Sequence, residues 1–303
     1  MNTDHVSFPP KPAVRRSFGN AANTYDGNAF LQREISDRLF ERLEYIKLQP
    51  LTALDIGCGT GYATRKLRER YPDANIIGLD LAEQMLATAR RDAKSASWLK
   101  RLMQRAPGQA WLCGDAEALP LTAESIDLAI SNLTLQWCDP ASVAREVVRV
   151  LRPNGLFMFT TFGPDTLKEL RKAFRAVDDK PHVNQFIDMH DIGDILVSAG
   201  FADPVMDQEI VTLTYADLKP LLKELKGIGA HNVLTGRARG LVGRQRWQRM
   251  ITAYEVFRKD ERLPATYEVV YGHAWKPEMR KRKTIDGQQT IALDEFKRMV
   301  GKT

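Results

Sequence analysis

LDIGCGTG, residues 54–61, is a short apolar strand that runs directly into a glycine turn, and the spacing after it is helical. Glycines have no side chain, so the backbone can turn tightly and approach a ligand closely. A dinucleotide site would follow G-x-G-x-x-G from Gly57, but the third glycine comes early, at Gly61, and Tyr62 holds the sixth position. The sequence also lacks the G-x-x-x-x-G-K-[ST] run of a phosphate-binding loop. The loop therefore favours a ligand that has no pyrophosphate.

Apolar segments of strand length alternate with helical segments around and beyond this loop. Five strands are predicted, at residues 51–56, 75–79, 110–113, 126–131 and 156–161. Helices are predicted at 61–71, 81–91 and 141–151, the last ended by Pro153-Asn154-Gly155. Residues 205–214 and 265–275 are rich in Val, Thr and Tyr and are paired as closing strands. The pattern predicts an α/β, Rossmann-like fold with a seven-stranded, mostly parallel sheet and helices on both faces.

The chain divides into four predicted regions. Residues 1–50 form an N-terminal segment that covers the ligand site, with one helix at 28–43 whose apolar side chains share a face. Residues 51–214 and 263–277 form the core of the fold. Residues 215–262 form an inserted, basic, helical lid, and the basic C-terminal tail follows it at 278–303.

The composition is that of an ordinary globular protein, with 303 residues, 44% of them hydrophobic and 27% charged. No stretch approaches 18 apolar residues, and residues 1–16 contain no apolar core of the kind that a secretory signal needs. We therefore expect a cytoplasmic protein that does not enter a membrane. The three cysteines match neither a disulfide framework nor paired zinc ligands, so we expect small buried residues and no metal.

Positive charge is concentrated in the predicted lid. The formal net charge is +6, and residues 219–262 alone hold eleven basic and four acidic residues. Such a face favours an acidic partner through long-range attraction, although a solvated helical surface would carry the same charges. Because the segment has few aromatics placed for base stacking and no RNA-binding motif, we expect an acidic protein and not a nucleic acid.

Polar side chains follow the second, third and fourth predicted strands, and the glycine turn follows the first. Asp80 ends the second strand, where a carboxylate can accept hydrogen bonds from both ribose hydroxyls or, alternatively, cap the next helix. Asp115 follows the third strand and is either an acceptor for an adenine amine or a turn residue. Ser131 and Asn132 follow the fourth. Open parallel sheets bind ligands outside the carboxyl ends of their strands, so we expect these groups to converge.

Residues 51–161 resemble the class I S-adenosylmethionine-dependent methyltransferases, on the glycine loop and these strand-end groups. The resemblance implies S-adenosyl-L-methionine as cofactor, with Asp80 at the ribose, Asp115 at the adenine ring and Asn132 near the methionine portion. It also implies that Tyr25 folds over the cofactor, although a hydrophobic staple at a helix start would explain Tyr25 as well. The residues expected to bind the cofactor are Tyr25, Asp55, Gly57, Cys58, Gly59, Gly61, Asp80, Leu81, Asp115, Ala116 and Asn132.

A narrower resemblance spans nearly the whole chain. Residues 14–26 (VRRSFGNAANTYD), 190–194 (HDIGD), 199–207 (AGFADPVMD) and 263–277 (LPATYEVVYGHAWKP) are similar to the malonyl-acyl carrier protein O-methyltransferase family of biotin synthesis. That family converts the free carboxyl of malonyl-acyl carrier protein to its methyl ester, which starts pimeloyl formation. Methylation of another small acid or a quinone precursor stays open, as does a cofactor-binding assembly factor without methyl transfer.

The resemblance implies an acyl carrier protein as partner, whose acidity suits the basic lid. Arg244, Arg246 and Arg249 are the expected carrier-protein patch. A carboxylate is already ionised at neutral pH, so the reaction needs positioning and dryness, and no acid or base is assigned. Residues that follow the fourth strand or lie in the lid regions are candidates to hold the malonyl group, although a lone histidine or Trp137 is as readily structural. They are Gln136, Trp137, His182, His231 and Arg237.

Overall fold

The fold is described from a computed structural model over residues 8–95, 108–230 and 243–278, with short backbone stretches at 284–285 and 288–289. The main sheet contains the strands β1 (Thr52–Ile56), β2 (Asn75–Asp80), β3 (Gln109–Cys113), β4 (Ile126–Asn132), β5 (Leu151–Phe162), β6 (Ala202–Tyr215) and β7 (Leu263–Trp275). Their order is β3-β2-β1-β4-β5-β7-β6. The first five strands pair in parallel, and β7 runs antiparallel to both β5 and β6. The prediction of a seven-stranded, mostly parallel sheet is confirmed.

Nine helices accompany the sheet in the described part of the chain. They are α1 (Lys11–Ala21), α2 (Phe30–Glu44), α3 (Tyr62–Arg70), α4 (Glu83–Ser95), α5 (Pro140–Val150), α6 (Lys168–Arg175), α7 (Met189–Ala199), α8 (Leu218–Gly227) and α9 (Arg244–Glu255), with a 3-10 turn at Leu135–Trp137. Helix α1 was not anticipated from the sequence. Helices α8 and α9 lie in the segment that links β6 to β7. None of the described helices combines the length and apolarity that a membrane span requires.

Side chains of the central strands alternate between two apolar clusters, one on each face of the sheet. In β5, Leu156 and Met158 join the cluster that also holds α2 and α3, whereas Phe157 and Phe159 join the one that holds α5 and α7. A period of two along a strand sends successive side chains to opposite faces. Helices therefore cover both faces, as expected for a mostly parallel sheet.

The glycine turn after β1 is built on left-handed backbone. Gly57, Gly59 and Gly61 have φ of +73°, +54° and +85°, a region that favours glycine. A Cβ at Gly57 would lie 2.0 Å from Oγ1 of Thr134. The backbone N–H groups of Gly57 and Cys58 both donate to the carbonyl of Leu79, at 2.7 and 2.9 Å. These bonds tie the turn to the carboxyl end of β2.

Two expectations about local structure are wrong. The helix before Pro153-Asn154-Gly155 ends at Val150, close to the predicted end, but the fifth strand already begins at Leu151 and not at residue 156. The pairing of β4 with β5 shifts register at this point, so the three residues form an irregularity inside the strand instead of a separate turn. Cys113 is exposed, whereas Cys58 and Cys138 are buried as expected.

Candidate active site

The carboxyl ends of the parallel strands open into a cavity of about 650 Å³, here called the strand-end cavity. Its floor comes from the strand ends and the glycine turn, and its roof from α1. Eight of the residues predicted to bind a cofactor line it: Tyr25, Gly57, Gly59, Asp80, Leu81, Asp115, Ala116 and Asn132. The predicted convergence of groups from successive strands is thus present in the structure. Open α/β sheets bind ligands at this position.

Asp80 caps the turn that follows β2, as one of its two interpretations predicts, and it also holds the glycine loop. Its Oδ1 accepts from the backbone N–H of Ala82 and its Oδ2 from that of Gly59, each at 2.8 Å. The carboxylate therefore caps the following turn and holds the glycine loop, while each oxygen keeps a further lone pair for a ligand. Burial raises the pKa of Asp80 to about 6, and the two backbone donors work in the opposite direction.

Asp55 lies beneath the glycine loop and has only 1% of its surface exposed. It does not line the strand-end cavity but a neighbouring space of about 420 Å³, here called the glycine-loop recess, together with Cys58. The hydroxyl of Thr64 donates to its Oδ2 at 2.5 Å. Burial raises the pKa of Asp55 to about 7 and the nearby Asp80 adds to this, against the hydrogen bond from Thr64.

Gly61 does not line these cavities, although it was grouped with the cofactor-binding residues. A Cβ added at Gly61 would lie 2.7 Å from the ring of Trp111 and 3.2 Å from the Cβ of Ala89. The residue precedes α3 in a left-handed conformation. Gly61 therefore permits the close packing of the turn against neighbouring elements and does not itself face the ligand space.

Asp115 holds the roof of the cavity as well as its wall. Lys11, at the start of α1, lies 3.0 Å from Oδ1 of Asp115 and 2.7 Å from Oε1 of Glu117. Oδ1 of Asp115 also accepts from the backbone N–H of Glu117, so the turn interpretation of this residue is confirmed. Both carboxylates are about one-quarter exposed. This ion-pair cluster anchors α1 over the end of β3.

Helix α1 is the main element of the site that sequence reasoning missed. It contributes Lys11, Val14, Arg15 and Phe18 to the strand-end cavity. A signal was present in the buried spacing of Val14, Ser17 and Ala21, which follows a helical period after Pro12. Its far end is tied to the lid region, because the hydroxyl of Ser17 donates to the carbonyl of Gly229 at 2.7 Å.

A second, larger cavity of about 1450 Å³, here called the apolar cavity, adjoins the first. Its wall is dominated by apolar side chains from the segment after β5, from α6 and from α8: Phe162, Leu167, Leu170, Phe174, Val183, Phe186, Leu222, Leu225 and Ile228. Four residues line both this cavity and the strand-end cavity: Phe18, Tyr25, Leu133 and Trp137. Tyr25 also lines the glycine-loop recess, so it lies where all three spaces meet.

Three of the residues predicted to hold a substrate line the apolar cavity: Gln136, Trp137 and His182. Two of them are already engaged. The amide of Gln136 donates to the carbonyl of Leu133 at 2.7 Å and accepts from the hydroxyl of Thr161 at 3.3 Å. The ring of His182 stacks on Phe174 at 4.0 Å, and its Nε2 lies 2.7 Å from Asp178. His231 and Arg237 lie outside the described residues.

Asn132 joins α2 to the end of the sheet. Its Nδ2 donates to the backbone carbonyl of Gln32 at 2.9 Å, and its Oδ1 accepts from the hydroxyl of Thr160 at 2.8 Å. These bonds place Gln32 directly beside the strand ends. Gln32 lines both the apolar cavity and the glycine-loop recess, and sequence reasoning had given it no role.

The basic residues of the lid region flank the apolar cavity. Arg244, Arg246 and Arg249 are all exposed on α9, which packs against α6. The charge of Arg246 contributes to lowering the pKa of Asp178, after the larger effect of the hydrogen bond from His182. On the other side, Lys226 of α8 is exposed and lines the cavity, so it marks the mouth.

Comparison with known proteins places this geometry in a family. The family model described as Methyltransferase domain matches residues 54–159. The malonyl-[acyl-carrier protein] O-methyltransferase of Gallionella capsiferriformans (strain ES-2) is 54% identical over 283 residues, which cover 93% of this chain and 95% of that relative. The chain belongs to the malonyl-[acyl-carrier protein] O-methyltransferase family. Malonyl-[acyl-carrier protein] O-methyltransferase 1 of Coxiella burnetii is 41% identical over 287 residues, with 94% of this chain and 95% of that relative covered.

Membership in this family confirms the resemblance that residues 14–26, 190–194, 199–207 and 263–277 indicate. Solved structures support the fold independently. The YcgJ protein of Bacillus subtilis superimposes with a TM-score of 0.57 at 15% identity, covering 80% of this chain and 99% of that one. At such low identity this likeness shows the fold alone. The family assignment therefore depends on the curated relatives, and the structure supplies the geometry.

Proposed function

We propose that this chain transfers a methyl group from S-adenosyl-L-methionine to the free carboxyl of malonyl-acyl carrier protein and so starts pimeloyl formation for biotin synthesis. One observation supports the chemistry: the strand-end cavity and a large apolar cavity adjoin and share the lining residues Phe18, Tyr25, Leu133 and Trp137. A cofactor in the first space and an acyl group in the second would meet beside Tyr25 and Trp137. The names of the relatives supply the acceptor.

The residues of the strand-end cavity fit the cofactor. Asp80 would accept from the ribose hydroxyls with its remaining lone pairs, and Asp115 from the adenine amine. Leu81 and Ala116 would contact the adenine ring, and a Cβ at Gly59 would meet nothing nearer than the Tyr25 ring at 4.0 Å, so the loop leaves room for a ligand. When bound, S-adenosylmethionine supplies a methyl group that is activated by a positively charged sulfur.

The chain needs no general base for this transfer. The acceptor carboxylate is ionised at neutral pH, since its ordinary pKa is near 4. Phe18, Leu133 and Trp137 form an apolar wall around the place where the two cavities meet. Such a wall excludes water, and loss of hydration favours a step in which opposite charges cancel. Holding the carboxylate in line with the methyl group contributes the remaining advantage, because orientation replaces a chance encounter.

The basic helices suit docking of the carrier protein. The acyl carrier proteins that this family acts on are expected to be acidic. The exposed arginines of α9 lie beside α6, and Leu170 and Phe174 of α6 line the apolar cavity. Lys226 marks the mouth from the side of α8. A carrier protein docked there would present its acyl arm to the opening. Long-range attraction would raise the association rate and make it sensitive to salt.

The deciding experiment follows labelled methyl transfer from S-adenosylmethionine to purified malonyl carrier protein. Acetyl carrier protein, malonyl-coenzyme A and free malonate serve as parallel acceptors. We expect a base-labile ester on the malonyl carrier protein and none on the acetyl form, because only the former has a free carboxylate. Cofactor binding without transfer to any of the four acceptors would contradict the proposal.

Docking on α9 is tested separately by charge reversal. We expect Arg246→Glu, and more strongly the combined reversal of Arg244, Arg246 and Arg249, to raise KM for malonyl carrier protein and leave cofactor affinity unchanged. Lys47→Glu is the matched control, since Lys47 is exposed and precedes the amino end of β1, whereas the cavities lie at the carboxyl ends of the parallel strands. Equal KM values for Arg246→Glu and Lys47→Glu would contradict docking on this helix.

A further inference from the structure

We propose that the side-chain amide of Gln32 and the indole N–H of Trp137 form a neutral clamp for the free carboxylate of the acceptor. The clamp rests on the proposed function and names the positioning groups of the same site. Each side chain lines the apolar cavity. Each also borders a second space, because Gln32 lines the glycine-loop recess and Trp137 lines the strand-end cavity.

Gln32 carries a polar atom that lacks a partner. Its Oε1 is buried and makes no hydrogen bond to any group in the described parts of the chain. Burying an unsatisfied polar atom is unfavourable, so the fold tolerates a cost at this position. The Nε2 group of the same amide is not buried in this way, and it donates to no group in the described parts of the chain. A carboxylate in the cavity could therefore accept from this NH2 group.

The position of Gln32 is fixed by its backbone. Its carbonyl accepts from Nδ2 of Asn132 at 2.9 Å, and Asn132 lines the strand-end cavity. The backbone of Gln32 therefore lies beside the strand-end cavity, and its side chain extends from there into the lining of the apolar cavity. A group at that point acts on the reacting end of an acyl chain and not on its distant carrier.

Trp137 offers the second donor from the other wall. Its ring is 9% exposed and is held by an edge contact with Phe18, at 5.2 Å between centroids and 86° between planes. Over the residues that the structure covers, no group accepts from its indole nitrogen. An indole can only donate a hydrogen bond, so a carboxylate oxygen is a suitable partner. The two donors approach from α2 and from the turn after β4.

Other polar side chains around the apolar cavity fit this task less well. Gln136 is engaged with Leu133 and Thr161, and His182 with Asp178. Lys226 is exposed at the mouth, away from the wall shared by the cavities. Neutral donors also suit the chemistry, since a cation bound tightly to the carboxylate would withdraw electron density from the attacking oxygen. Gln32 and Trp137 orient the carboxylate while leaving it nucleophilic.

The clamp is tested with Gln32→Met and Trp137→Phe, which keep most of the side-chain shape and remove the donors. We expect kcat/KM for malonyl carrier protein to fall about 10- to 100-fold in each variant, the range for a lost hydrogen bond to a charged group. For Gln32→Met, whose residue does not line the strand-end cavity, the affinity for S-adenosylhomocysteine and the melting temperature should stay close to wild type. Gln208→Met, at an exposed position of β6, is the matched control.

A binding measurement separates the clamp from a structural role. With S-adenosylhomocysteine bound, wild type should bind malonyl carrier protein more tightly than acetyl carrier protein, and the two variants should lose that preference while binding the acetyl form equally well. Unchanged kcat/KM, or an equal loss of affinity for both carrier proteins, would overturn the clamp. If wild type itself transfers no methyl group to malonyl carrier protein, the proposed function fails and the clamp with it.

Discussion

Asp55 links the site to the pH dependence of stability. The carboxylate is buried, and its burial raises the pKa from 3.8 to about 7, against the hydrogen bonds from the hydroxyl and the backbone of Thr64. A folded pKa above the unfolded one means that the folded chain binds the proton more tightly. The free energy of unfolding therefore falls as the pH rises from 3.8 through 7. The full effect of ionising Asp55 is about 4 kcal/mol above pH 7.

Asp55→Asn removes this dependence and keeps an oxygen that can accept from Thr64. Between pH 5 and pH 8 the ionisation of Asp55 should lower the unfolding free energy of wild type by about 2.5 kcal/mol. We therefore expect the variant to gain that amount relative to wild type over the same interval. Guanidinium denaturation at both pH values, followed by tryptophan fluorescence, measures the difference.

Asp73→Asn is the matched control, because it removes one carboxylate from an exposed position. It corrects for the change in overall net charge. A stability difference between Asp55→Asn and wild type that is the same at pH 5 and pH 8 would refute the reasoning. So would a variant that loses stability relative to wild type as the pH rises.

Two further predictions concern the backbone turn and the roof of the cavity. Gly57→Ala should lower the free energy of unfolding by about 1 to 3 kcal/mol more than Gly200→Ala does. Both glycines have positive φ, but only a Cβ at Gly57 would meet another residue, Thr134, at 2.0 Å. Equal losses in denaturant titrations would contradict this prediction. Lys11→Met should speed the dissociation of S-adenosylhomocysteine in stopped-flow measurements, because it removes the ion pairs that hold α1 over the strand-end cavity. An unchanged dissociation rate would show that the position of α1 does not depend on these ion pairs.

The sheet and the strand-end groups could be predicted because each is encoded locally. Apolar segments of strand length fix the strands, and a polar residue after a parallel strand must lie at the ligand-binding edge. Asp80 and Asp115 were found in this way. The same reasoning misplaced Gly61, because its role depends on Trp111, which approaches from another element. Local sequence could not reveal that contact.

The residues around the proposed acceptor could not be predicted from the sequence as completely as the strand-end groups, for a physical reason. Gln136 and Gln32 are the same type of residue, and both line the apolar cavity. What distinguishes them is whether other parts of the fold already satisfy their amides. Gln136 finds Leu133 and Thr161, while Gln32 keeps a buried oxygen without a partner. Such a difference arises only from tertiary contacts, so the sequence alone could not distinguish the two glutamines.

The same short segment encloses both cavities. Phe18 and Tyr25, one in α1 and the other just after it, line the strand-end cavity and the apolar cavity alike. The segment is tied to the end of α8, because Thr24 donates to the carbonyl of Gly227 at 2.9 Å and Ser17 to that of Gly229 at 2.7 Å. A movement of α1 that widens one cavity must therefore change the wall of the other. If the cofactor and the acyl group occupy these two cavities as proposed, we expect the release of each to depend on the same helix and the same hydrogen bonds.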